Sequence, residues 1–353
     1  MKTKSLQLGK AMSAALFVLL LMVAGAKNVL AQTQVATLQH GDEMTAFYGM
    51  NALVEAHAAA VDGDIITLSS GTFTKTDITK TITLHGAGCT ADTLGNTPTI
   101  VAGSFSISGL SDSYYLDIEG ISFGDITYYN TLYHVKFRKC NVNTISNGGT
   151  YQSAATMKDV QFVNCLIGSA EIRSSNDNVS IINCVIGSLK HIGRSYGSIY
   201  STSTYVYNSI IGMKRTGDYY SHNGNLYLYN CIVSENNTGN ERGQLYESTA
   251  CNCIEIDSVF TSSVQTFNCM SVNSYSEVFE SFDGTFSFDT DYSLKEEIAT
   301  SFLGNDGREV GIYGGVMPYD PRPSYLMLSR YNVANRSTID GKLSVEIEVI
   351  TNE

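Results

Sequence analysis

Lys190, His191 and Arg194 fall in one turn of the chain, and Lys214, Arg215, Tyr219, Tyr220 and His222 fall in the next. Lys190 and Lys214 lie six and five residues past Cys184 and Ser209, which are small residues at the same place in a recurring phrase. A third turn holds Glu235, Asn237, Glu241 and Arg242. If the turns stack, these groups form one patch of cations interleaved with phenols. Lys and Arg pair with carboxylate or sulfate, and aromatic faces lie along sugar rings, so the set suits an acidic polysaccharide. The same residue types could support β-elimination, with a cation neutralising a uronate carboxylate while Lys, His or Tyr takes the proton. The competing reading is an ordinary solvated set of turns with no dedicated site. Of the two active readings, binding without turnover is favoured, because no acid–base pair is recognisable and no catalytic residue can be named.

The other reactive side chains point to structure. Asp62 with Asp64, and Asp289 with Asp291, could hold a cation through oxygen ligands, but they read more simply as turn acids. The pair Cys251 and Cys253 has no partner Cys or His at ligand spacing, so no metal site is expected. His57 and His85 read as structural. No Ser, His and Asp arrangement stands out, nor any Gly-rich phosphate loop at a strand-to-helix junction, and no cofactor is implied.

The element that must position these groups is a repeat. From Leu116 to Asn273 the phrases VKFRKCNV, VQFVNCLI, VSIINCVI, TYVYNSII, LYLYNCIV and VQTFNCMS recur. Taking the small residue as position zero gives Cys140, Cys165, Cys184, Ser209, Cys231 and Cys269, with a weaker case at Cys253, at intervals of 16 to 25 residues. Units of this length that cannot bury an apolar face alone stack into a solenoid. Five and three residues before position zero the side chains are mostly apolar, as in Val135 and Phe137 or Val179 and Ile181, which is strand periodicity with one face inward. Two residues after it come Val142, Ile167, Ile186, Ile211 and Val233. Between these inward runs sits Asn164, Asn183, Asn208, Asn230 or Asn268, with Gly120 at the same place one rung earlier. Asn and Gly tolerate left-handed backbone, so each can bend the chain sharply between two strands. Stacked amides could also bond up and down as an asparagine ladder.

Repeat length, Asn bends and an opening helix together resemble the right-handed parallel β-helix proteins of the pectate-lyase-like superfamily, over roughly Asp62 to Gly315. The resemblance implies an all-β fold, a right-handed parallel β-helix. It leaves activity open, since that superfamily includes lyases, hydrolases, adhesins and proteins with no known reaction. Its pectate-lyase and polygalacturonase signatures, with paired Asp and characteristic His and Arg, are not found in this sequence.

Residues 1–31 carry Lys2, Lys4 and Lys10 ahead of an apolar run and end in Val29-Leu30-Ala31, a signal peptide with cleavage expected after Ala31. A transmembrane anchor is the competing reading, its apolar run being near the lower limit for spanning. An exported protein, secreted, periplasmic or at the cell surface, follows, with no membrane insertion of the mature chain. A net charge of -12 argues against nucleic acid as partner. Residues 32–61 form an N-terminal segment with a helix expected over Met44 to Val61, its Phe47, Met50, Val54 and Val61 on one face, capping the solenoid of residues 62–315. Five of the Cys share position zero with Ser209, which favours a stacked ladder of reduced thiols over disulfides. Residues 316–353 open with a Pro-rich stretch that reads as a linker leaving the solenoid, then a hairpin turning at Asp340-Gly341. Three functions remain in play: an exported protein that binds extracellular polysaccharide along its lateral face without turnover, a polysaccharide lyase or glycoside hydrolase, and a structural or adhesive module with a protein partner.

Overall fold

In the computed structural model the described residues are 34–91, 97–113, 115–148, 155–172, 177–195, 198–199, 204–214, 222–235, 244–324, 327–333 and 345–350. The expected signal peptide and the turn at Asp340-Gly341 lie outside them. The chain folds as a parallel β-solenoid with two long sheets. The first stacks Ile65–Leu68, Thr83–His85, Leu116–Glu119, Val135–Arg138, Gln161–Val163, Val179–Ile182, Thr204–Tyr207, Leu226–Tyr229, Thr249–Cys251 and Gln265–Phe267. The second runs from Gly71–Thr74 to Met270–Val272. A short third wall pairs Leu132–Tyr133 with Met157–Lys158.

Alternation fixes which side chains go inside. Val135 pairs in register with Leu116, and Phe137 with Ile118 and Phe162. The Phe137 and Phe162 rings stack at 5.2 Å. The second residue after position zero, such as Ile167 or Ile186, joins the same interior. Its predecessor points outward and is also apolar: Leu166, Val185, Ile210, Ile232 and Ile254 form a second core with Val278, Phe279, Tyr292 and Ile312 from the C-terminal part of the chain. The apolar pair in each phrase therefore serves two cores at once.

From Gly120 onward the described bends between the long sheets take left-handed backbone. Asn164, Asn183, Asn208, Asn230, Asn252 and Asn268 have φ between 46° and 56°, Lys139 substitutes at 52° and Gly120 at 70°. A second row of such bends, at His134, Asp159, Asn178, Asn225 and Glu247, enters the first sheet. Its mixed residue types hide it in the sequence. At three of these bends the backbone N–H that follows the bend residue turns inward and the position-zero side chain on the next rung accepts it. Cys165 N donates to Cys184 Sγ at 3.4 Å, and Cys184 N donates to Ser209 Oγ at 3.1 Å. The same side chains donate back to the carbonyl two residues earlier, Cys184 to Ile182 O at 3.2 Å and Ser209 to Tyr207 O at 2.8 Å. A small side chain that both donates and accepts serves there, so Cys and Ser interchange, although Ile121 holds the same position after the Gly120 bend. Ser248 repeats the device in the second row, accepting from Leu226 N and donating to Tyr246 O. All eight cysteines are free thiols. Burial holds Cys140, Cys165 and Cys253 well above the usual thiol range, which suits a structural role.

The bend amides do not bond to one another among the described residues. They face outward and are met by a strap, residues 294–324, that runs back along the bend row against the order of the rungs. Asn252 Nδ2 donates to Leu303 O at 3.3 Å. Asn230 and Asn305 exchange two bonds at 3.0 Å. Asn183 Nδ2 donates to Ile312 O and Gly314 O at 2.7 and 2.8 Å. Lys139 Nζ donates to Arg322 O at 2.7 Å. Gly315, at φ 75°, passes so close that a Cβ would lie 2.9 Å from Asn208 Cγ. The Pro-rich stretch thus stays on the solenoid as far as Ser324, whose N–H donates to Glu119 Oε1 at 2.6 Å. Beyond it, Met327–Val333 and Val345–Ile350 pair antiparallel, the expected hairpin.

The opening segment differs from the helix expected over Met44 to Val61. Glu43–Tyr48 is a strand paired antiparallel with Val35–His40, which itself pairs with Ile65–Leu68 at the sheet edge. The helix is Ala52–Ala59, and it buries Ala52, Leu53, Ala56 and His57 in place of the predicted face. Gly49, at φ 91°, separates the two. Pairing along an open edge outweighs the modest helical preference of the preceding residues. Lys80 Nζ closes the helix C-terminus by donating to His57 O, Ala58 O and Ala60 O.

Two outcomes follow. Replacing Asn183 with Gly keeps the bend but removes both strap bonds, and urea unfolding should show a loss of about 1–3 kcal/mol. Asn164→Gly, whose side-chain Oδ1 has no partner, should lose far less. Burial, followed by Lys80, lowers the pKa of His57 below its ordinary 6.5, and its Nε2 accepts from Thr79 N. The folded chain therefore resists a proton that the unfolded chain accepts. Stability should be complete above pH 6.5 and fall as pH drops through the lower folded value, with a shallower fall in His57→Gln.

Candidate functional site

The predicted cationic patch divides on the structure. Lys190 follows Leu189 and Lys214 follows Met213, and Leu189 aligns with Met213, so the two lysines occupy matching places on adjacent rungs. Lys190 Nζ lies 3.6 Å from Glu171 Oε2 on the rung before, which offsets part of its charge. Lys214 is exposed and ties to the Lys190 rung by donating its N–H to Leu189 O at 2.8 Å. His191 is wholly buried, its Nε2 3.1 Å from Thr204 Oγ1, so alternation along the strand turns it away from the lysine side. Arg194 and His222 lie in described strands, Val185–Ser195 and His222–Gly224, which pair with each other at these residues. Arg215, Tyr219, Tyr220 and Arg242 lie outside the described residues.

Three of the four paired acids act as hydrogen-bond acceptors. Asp62 Oδ1 accepts from Thr81 N at 2.8 Å, Asp64 accepts from Val61 N and lies 2.7 Å from His40 Nδ1, and Asp291 accepts from Ser293 N. Among the described residues no group of three or more His, Cys, Asp or Glu could hold a metal ion.

A different surface is built on the outer face of the first sheet. The strap covers the bends and the neighbouring edge of the second sheet, but this face carries two rows of outward side chains, four and two residues before position zero. At the early rungs the rows are charged. Arg138 forks onto Asp117, with Nε–Oδ1 3.0 Å and Nη2–Oδ2 2.9 Å, and its Nη1 reaches Glu119 Oε2 at 2.7 Å. Glu119 is itself only 1% exposed, so this group is a closed ionic latch beneath the strap end. From Gln161 to Phe267 the rows carry no formal charge: Gln161 and Val163, Ser180 and Ile182, then four tyrosines.

Those tyrosines stand in two columns. Tyr205 stacks on Tyr227 at 5.1 Å and Tyr207 on Tyr229 at 5.2 Å, with interplanar angles of 21° and 12°. Tyr205 and Tyr207 lie 6.4 Å apart along their strand. In-register parallel pairing of TYVY with LYLY sets this spacing. Burial, and then the neighbouring phenols, raise Tyr207 above the ordinary tyrosine range. Burial, and then Cys251, do the same for Tyr229, so both stay protonated hydroxyl donors at neutral pH. Stacked rings with hydroxyls at their tips, on an uncharged sheet, can pack C–H faces and hydrogen-bond polyol groups.

The signal for this face was present in the sequence. The inward positions of TYVY and LYLY leave both Tyr of each phrase pointing out, and only these phrases place an aromatic at both outward positions. Protein-family models give no match to the chain, and no curated protein matches it either. Fold and surface chemistry therefore carry the functional reading.

Proposed function

We propose that this chain is an exported, non-catalytic β-solenoid that binds extracellular polysaccharide on the outer face of its first sheet. The paired tyrosine columns carry the reading. Buried tyrosines would complete the interior, yet these four project from a sheet whose interior is already full. Tyr227 remains 38% exposed. Aromatic side chains give large contact area for little lost entropy, and their hydroxyls suit a hydroxyl-rich ligand.

Binding without turnover is supported by what lies beside the columns. Arg138, Asp117 and Glu119 on this face are spent on one another, and the outward His85 and Lys136 stand with them on the early rungs, away from the tyrosines. General acid–base work needs groups poised within reach of the substrate, and the outward rows from Gln161 to Phe267 hold no carboxylate, His, Lys or Arg, while Tyr207 and Tyr229 are pushed up, away from a base role. The leader sequence supports export.

The reading is tested on an immobilised glycan panel. The mature protein should be retained on at least one polysaccharide, and Tyr205→Ala with Tyr227→Ala should weaken retention by about tenfold or more. Lys214→Ala should leave it nearly unchanged if the tyrosine face is the contact. New reducing ends or unsaturated uronate products would count for turnover, and no retention on any glycan would sink the proposal.

A further inference from the structure

Both aromatic columns stop at the same rung. In register, Tyr227 is followed by Thr249 and Tyr229 by Cys251. One rung further, Thr249 is followed by Gln265 and Cys251 by Phe267. Two small side chains therefore lie side by side between a rung of rings and a rung that restores a ring and a long amide. This makes a notch one rung tall that crosses the sheet along the strand direction. Tyr227 and Tyr229 form one wall, Gln265 and Phe267 the other, and Thr249 and Cys251 the floor. The walls reach solvent, Tyr227 at 38% and Phe267 at 56% exposure.

We infer that this notch is the subsite for a single neutral pyranose ring, held between Tyr229 and Phe267, with the glycan crossing the sheet rather than running along the solenoid axis. The inference rests on the glycan-binding reading above and adds the ring, its place, its direction and its charge. Spacing selects the guest. Neighbouring strands lie about 4.8 Å apart, so the Tyr229 and Phe267 rungs are separated by roughly 9.6 Å. A flat ring in contact on both faces would need only about 7–8 Å. A pyranose chair is puckered and carries C–H groups on both faces, so it is thick enough to touch both walls. Tyr207 already occupies one face of Tyr229, at an interplanar angle of 12°, which leaves the opposite face turned to the notch.

Charge selects in the same direction. The Thr249 hydroxyl, the Gln265 amide and the phenols are neutral donors and acceptors matched to sugar hydroxyls. Cys251 contributes a small neutral thiol, since burial and then Cys269 raise it further above neutrality. A uronate carboxylate placed there would give up water with no cation in exchange. The notch thus favours neutral hexose or pentose chains over the acidic polymers that the lysine pattern suggests.

The test uses the mature protein on an array of neutral gluco-, manno-, galacto- and xylo-oligosaccharides beside their uronate counterparts, followed by calorimetry on the best neutral ligand. Cys251→Phe would carry the Tyr207, Tyr229 and Phe267 column straight through the notch. It should lower affinity by about tenfold or more while leaving the melting temperature unchanged or raised, and Cys251→Ser should bind as the parent does. Should Cys251→Phe fold poorly, Phe267→Ala removes the exposed wall without touching the interior and should cost a similar factor. Unchanged affinity in both filled and wall-less variants, alongside weakened binding in the Tyr205 and Tyr227 variant, overturns the notch but leaves the glycan face. Retention on uronates alone overturns the neutral assignment, and no retention anywhere removes both readings.

Discussion

A left-handed bend in each rung from Gly120 to Asn268 is the constraint from which the rest of this structure follows. Bending a chain within one residue breaks the strand ladder and strands two groups, an inward N–H and an outward side chain. The inward N–H cannot reach water, so it must find an acceptor in the interior, where leaving it unmade would be costly. The side chains of Cys184, Ser209 and Cys253 answer this by accepting the N–H of Cys165, Cys184 and Cys231 on the rung before. The column of thiols is thus a hydrogen-bonding element, and its substitution by Ser209 keeps the bond while its chemistry as a thiol is unused.

The outward groups have an equally physical resolution. A row of Asn amides along an edge could stack on itself, but the adjacent stripe of Leu166, Val185, Ile210, Ile232 and Ile254 must be covered in any case. The strap that buries this stripe runs alongside the bends, and its carbonyls take the amide protons of Asn183 and Asn252. One segment therefore closes an apolar surface and a polar row together. Because it crosses successive rungs, it also ties the last to the earlier ones, ending on the Glu119 and Arg138 latch. A solenoid held mainly by nearest-neighbour contacts gains a long-range connection in this way.

With the bend edge covered, the outer face of the first sheet stays uncovered by the strap and is the face proposed for ligand. Its uncharged rows are notable in a chain of net charge -12, because charges are the usual means of keeping an exposed sheet soluble. Tyrosine columns on such a face combine apolar area with hydroxyls, and the interruption at Thr249 and Cys251 turns a flat shelf into a place where one ring can be gripped from both sides. The function proposed for this chain is accordingly one of recognition by shape and neutral hydrogen bonding.

Much of this was legible in the residues alone. Repeated VxFxNC-like phrases set strand alternation, the Asn bends and the inward stack, because these depend on local backbone preference and on a period the sequence displays directly. Rung register was legible too, since matching phrases can align only at their shared small residue. The helix expected over Met44 to Val61 was not decided locally: an unpaired sheet edge recruited Glu43–Tyr48 as a strand. His191 fell inside although it is polar, because alternation overrides polarity once Leu189 is fixed in the core. The sequence by itself determined the coil, its inward face and its bend residues. Only the tertiary structure decided which outer faces stay open, because covering them depends on where residues 294–324 return, and that path is set by contacts between parts of the chain remote from one another.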